Sequence, residues 1–168
     1  KCCIFYDNCL YIKDYIMTLE NLKDYWQNVC LLHKDVKQFN VGNNYDTANN
    51  TDDKYPLCFY ELPYSIDMNM DKPIDTIQFA FSVFLYTKQD DILDSHSAIS
   101  LAKAIGDAIL MKIGKDADSG FTLNSANCVS VREYSDDYVA GVRYDIAITM
   151  KRDLCDKNIE DYFNEVAE

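Results

Sequence analysis

The chain has 168 residues, 48% of them hydrophobic and 26% charged, and a formal net charge of −12. That is the size and composition of one folded domain. The acidity excludes a tight grip on a nucleic-acid backbone, which needs clustered Lys and Arg. No apolar run approaches the roughly 18 residues of a membrane span, and no basic start with an apolar core marks a signal peptide. The chain opens on Lys1 rather than Met, which leaves residues before it an open matter.

Residues 1–17 are aromatic and Cys-containing and read as an extended arm or a short helix. The run after Thr18, a plausible N-cap, sets Leu19, Leu22, Trp26, Val29, Leu32 and Val36 at three- and four-residue steps, which predicts an amphipathic helix. His33 lies at the edge of that stripe, as a core-edge histidine. The Asn- and Asp-rich stretch from Asn40 to Lys54 reads as a long polar loop, without the residue order of a calcium loop. Tyr55 to Leu62 reads as a strand with Pro56 at its start. Pro63 to Pro73 reads as a second loop, carrying Tyr64, Ile66, Met68 and Met70.

Thr76 to Thr87 is a clear strand. Ile77, Phe79, Phe81, Val83 and Leu85 share one face. Ala80, Phe84 and Tyr86 on the other lack the charge of a wet face, so something must cover them. A helix follows, with Ala98, Leu101, Ala102, Ile105, Ala108, Ile109 and Ile113 as its stripe. Its N-cap is expected within Asp94 to Ser97 and its C-terminal glycine at Gly114. Asp116 to Ser125 reads as a loop. Asn127–Tyr134 and Tyr138–Arg152 form a hairpin joined by Ser135–Asp137, and residues 156–168 read as a short acidic helix with Ile159, Tyr162, Phe163 and Val166 on one side. The expected architecture is one α+β domain over 1–168: a mainly antiparallel four-stranded sheet with helices packed on one face.

Residues able to do chemistry are scattered. Seven cysteines, Cys2, Cys3, Cys9, Cys30, Cys58, Cys128 and Cys155, form no CxxC pair. An odd number, with three inside apolar runs, points to free thiols in a reducing compartment. The two histidines, His33 and His96, stand at no ligand spacing to a Cys. None of the phosphate-loop, dinucleotide, serine-elbow or zinc-protease motifs is present. The acidic pairs Asp52–Asp53, Asp90–Asp91 and Asp136–Asp137 fall in turns, where carboxylates are solvated rather than opposed across a cleft. The expectation is therefore no enzyme, with no catalytic, cofactor-binding or metal residues. The candidate interface residues are Tyr64, Ile66, Met68, Met70, Phe84, Tyr86, Tyr162 and Phe163, apolar or half-polar groups that pack on something; for Tyr64, Ile66, Met68 and Met70 that is either a partner groove or their own sheet.

The helix LENLKDYWQNVCLLHKDVKQFNVGN, the strands YPLCFYE and IQFAFSVFLYTKQDD, the helix SAISLAKAIGDAILMKI and the hairpin REYSDDYVAGVRYDIAITM carry a resemblance. Together they resemble the small α+β neck or tail-completion proteins of tailed bacteriophages, in the tail-terminator-like group, as in phages of gut Bacteroidetes. The resemblance implies a homo-oligomeric six- or twelvefold ring in the virion, at the head–tail junction, assembled in the host cytoplasm against portal, neck or tail proteins. DNA would pass through its bore without specific binding, and Asp136 and Asp137 or the Asn43–Asp53 loop would face the bore or the next ring. The arm 1–17 and the C-terminal helix 156–168 have no counterpart in that pattern. A soluble enzyme or ligand-binding domain, and a small cytosolic adaptor working through the Met/Tyr loop, are the alternative readings.

Overall fold

The fold is that of a computed structural model, which describes residues 17–43, 52–72, 74–88, 91–134 and 138–151. In chain order the elements are α1 (Leu19–Leu32), β1 (Gln38–Gly42), β2 (Leu57–Met68), β3 (Ile74–Tyr86), α2 (Ile92–Gly114), β4 (Phe121–Tyr134) and β5 (Tyr138–Lys151). The strands make one sheet in the order β1-β2-β3-β5-β4. The class is α+β, as expected, but the sheet has five strands and one parallel pair, β1 with β2. The other three pairings are antiparallel. The expected arm, apart from Met17, and the expected C-terminal helix lie outside the described residues.

Both helices pack on the same face of the sheet. On α1, Thr18 accepts a hydrogen bond from the Asn21 N–H at 3.1 Å, which satisfies one orphan donor of the first turn. Leu22, Trp26, Val29 and Cys30 are buried below it. The Trp26 ring is edge-on to Phe79 at 5.2 Å and tilted against Phe81 at 5.2 Å and Tyr60 at 6.2 Å. Burial of one such large side chain contributes about 1.5–3 kcal/mol, and edge-to-face pairing adds to it. The helix stops at Leu32, which is exposed, and Val36 is buried from the turn that follows rather than from the helix.

Helix α2 buries Ala98, Ala102, Ile105, Ile109 and Ile113, one side of a 3.6-residue repeat. Leu101 and Ala108 of the expected stripe face outward, because they fall off that line. The N-cap is Asp91, which accepts from the Asp94 N–H at 3.0 Å, earlier than expected. Gly114 ends the helix itself, and Lys115 caps it in a right-handed conformation. The glycine that needs its freedom is Gly120, at φ 76°, turning the chain into β4.

Three expected loops contain strand. Gln38–Gly42 alternates Phe39 and Val41 with Gln38 and Asn40, and this five-residue period-two run pairs with Leu57–Glu61 as β1. Tyr64, Ile66 and Met68 alternate with Ser65 and Asp67, so β2 continues to Met68, with a register shift between Glu61 and Ser65. The turn is held by Asn69 Oδ1, which accepts from the N–H groups of Asp71 at 2.9 Å and Lys72 at 3.0 Å. β4 begins at Phe121 with a register shift between Leu123 and Ser125. Gly141 sits opposite Phe84, and a Cβ there would run into the Val83 carbonyl and come 3.0 Å from Phe84 Cα.

Candidate functional site

The described part of the sheet face away from the helices has two zones. Near the β3 C-terminus, Leu57, Phe59, Phe84 and Val139 bury one another, with Tyr55 and Val131 packed against them. This small second core covers part of the non-helical face of β3 from within the chain. Phe84 is thus interior, 4% exposed, and is corrected as an interface candidate.

The other zone is an open hollow of about 560 Å³, lined in part by Glu61, Gln78, Ser125, Asn127, Arg143 and Asp145. Arg143 on β5 reaches across β3, its Nε 2.8 Å from Glu61 Oε2 and 3.1 Å from Oε1. Its Nη1 donates to Asp145, and the Ser82 hydroxyl donates to Glu61 Oε1 at 2.7 Å. Burial works against the guanidinium charge, but the bonds and charges of Glu61 and Asp145 raise its affinity for the proton. Glu61 spends both oxygens on these partners, and the residues lining the hollow include no His or Cys. The cluster pins β2 to β5. Among the described residues no three His, Cys, Asp or Glu side chains converge as metal ligands.

On the helix side, Tyr144 shares its hydroxyl proton between Asp107 Oδ1 at 2.9 Å and the Lys103 carbonyl at 3.2 Å. Burial first, and the Asp107 bond second, push the Tyr144 hydroxyl up. Burial also pushes against the Asp107 carboxylate, yet the bonds from Lys103 and Tyr144 hold it below the usual range. Tyr25 donates to Asp116 Oδ2 at 2.7 Å, tying α1 to the turn after α2, and burial followed by that bond pushes its hydroxyl up.

Exposed apolar side chains stand at both ends of β3; among the described residues Leu31, Leu32, Leu101 and Met111 are exposed as well, and Tyr86 keeps a ring contact to Tyr55 at 6.3 Å. At the start of β3, Ile66, Met68 and Met70 are 43%, 58% and 84% exposed. Tyr64 beside them is half-buried, its ring 5.8 Å from Tyr60 and 6.3 Å from Phe79. At its end, Tyr86, Ile92 and Leu93 are 60%, 71% and 79% exposed. The thirteen residues of β3 hold the two groups apart, by roughly 40 Å of extended chain.

Of the expected interface residues, Ile66 and Met68 alternate on β2 and Met70 follows in the turn, all exposed, while Tyr86 lies at the far end of β3. Tyr162, Phe163, Asp136 and Asp137 lie outside the described residues, as do residues 44–51 of the expected bore-facing loop. Asp53 of that loop is held by the side-chain amides of Gln38 at 2.8 Å and Asn40 at 2.9 Å. Sequence reasoning missed Ile92 and Leu93, although an apolar pair directly after Asp90–Asp91 and off the helix stripe was a readable signal. The Glu61–Arg143 bond spans 82 residues and left none.

Among the described residues, no helix is long and apolar enough to cross a membrane. No protein-family model matches the sequence, and no curated protein matches it at a significant level.

Proposed function

We propose that this chain is a non-enzymatic structural subunit that assembles with copies of itself into a six- or twelvefold ring at the head–tail junction of a tailed phage. The observation that carries it is that different exposed apolar side chains stand at the two ends of β3, Ile66, Met68 and Met70 at one and Tyr86, Ile92 and Leu93 at the other. Contacts between unlike surfaces run head to tail, and such contacts close into rings when the rotation permits. Large exposed apolar groups in a monomer mark interaction sites. The place in the virion rests on the sequence resemblance. The net charge of −12 fits a wall that DNA passes without sticking. Portal or neck and tail proteins are then the neighbours, and no cofactor is required.

The hollow around Arg143 gives a ligand-binding domain weaker support, because its charged groups already answer one another. Electron microscopy of the purified protein, alone and mixed with portal or tail protein, tests the assignment. Closed rings with a central bore are expected. Single particles in both samples would overturn it.

A further inference from the structure

β4 is an outer strand of the sheet, and every residue from Asn124 to Ser130 is exposed, on both faces. An outer strand presents a row of backbone N–H and C=O groups, and monomeric proteins shield it by shortness, Pro, charge or a bulge. β4 is 14 residues long, contains no Pro and carries no charged side chain from Phe121 to Val131; the one such device it has is the register shift between Leu123 and Ser125. The opposite edge is built differently. β1 has five residues. Beside it, the Asp53–Lys54 segment is tethered through Asp53 to Gln38 and Asn40, and the Lys54 N–H bonds Gln38 Oε1 at 2.9 Å.

We propose that β4 pairs antiparallel with β4 of a second copy, about a two-fold axis, to give one continuous ten-stranded sheet. Charge selects this occupant. Copies carrying −12 each repel over most of their surface. A two-fold contact sets a strip against itself, so any charged strip would meet its like. The run Phe121–Val131 is neutral and avoids that cost. With the axis near Ala126, the uncharged run of one copy lies along that of the other. Val129 and Cys128, both exposed, are covered in the pair. This contact is separate from the head-to-tail contacts of the ring, which use the ends of β3. With both in use, the pairs join two rings, so two sixfold rings give a twelve-copy particle and two twelvefold rings one of twenty-four.

The test compares particle mass by sedimentation for the wild type, Val129→Lys and Asn127→Pro, with circular dichroism as the check of fold. Both substitutions are expected to halve the mass, because each blocks the edge. A second measurement covers the case of misfolding. With Cys2, Cys3, Cys9 and Cys155 changed to Ser, a spin label on Cys128 is expected to report one narrow distance, from Cα atoms about 14 Å apart. A monomeric wild type, a mass unchanged in both folded variants, or a label signal without a short distance would overturn the pairing. A particle that is a dimer and never larger would keep the pairing and remove the ring.

Discussion

Arg143 and Glu61 lie on strands that do not touch, β5 and β2, and their ion pair at 2.8 Å bridges the intervening β3. Glu61 is 5% exposed. Removing the guanidinium leaves a buried carboxylate without its counter-charge, which costs more than the intact pair contributes. Arg143→Met is therefore expected to lose about 3 kcal/mol, or about 6–12 °C in Tm for a domain of this size. The double variant Glu61→Gln/Arg143→Met is expected to recover most of that loss. Thermal unfolding of the four proteins of the cycle measures both, and an additive cycle would refute the coupling.

Gly106 lets α2 rest on Tyr144. A Cβ there would come 2.6 Å from Tyr144 Oη and 2.8 Å from Cζ. Gly106→Ala gains about 1 kcal/mol of helix propensity, but overpacking costs about 1–3 kcal/mol, so a net loss is expected in the wild type. In a Tyr144→Ala background the same change is expected to stabilise. Chemical denaturation of the four proteins reads the reversal of sign.

Tyr25, Tyr60 and Tyr144 all have hydroxyls pushed up, chiefly by burial. A group held neutral in the folded chain contributes stability that is complete below its unfolded value, about pH 10 for Tyr. That contribution is lost as pH rises toward the folded value. Ultraviolet titration is expected to leave at least these three of the 13 tyrosines un-ionised at pH 11 until the chain unfolds. Asp107 has the opposite sign: its carboxylate is held low, so its contribution is present above about pH 4 and is lost as pH falls below. Because its side chain is 45% exposed, Asp107→Asn should only slightly flatten the acid limb of Tm against pH.

The helices and the two central strands were legible because each buries one continuous stripe. Trp26 on α1, Ile105 and Ile109 on α2, Phe79 and Phe81 on β3, and Val142 and Tyr144 on β5 all sit where their period puts them. β1 was hidden because Phe39 follows the helical stripe at Val36 by three residues, while Val41 lies in the Asn- and Asp-rich run that reads as loop. The end of β2 was hidden because Pro63 and Asn69 bracket Tyr64, Ile66 and Met68 with turn-forming residues, so the alternation between them looked like loop. The second core was half-legible. The apolar face at Phe84 raised the right question, but its partners Leu57, Phe59 and Val139 come from two other strands. The bare edge of β4 is invisible before the strand order is known, since β4 and β5 read alike as hairpin arms.

The head-to-tail contact is tested most directly by damaging its two halves separately, in a Val129→Lys background so that edge pairing does not contribute. One protein carries Met68→Ser and Met70→Ser, the other Ile92→Ser and Leu93→Ser. Each keeps one sound end and is expected to be monomeric alone, as both sites are exposed and unneeded for folding. Mixed, the sound end of one meets the sound end of the other, and sedimentation is expected to show a 1:1 pair that grows no further. Rings persisting in either variant alone, or a mixture that stays monomeric while the undamaged Val129→Lys protein assembles, would contradict assembly through the two ends of β3.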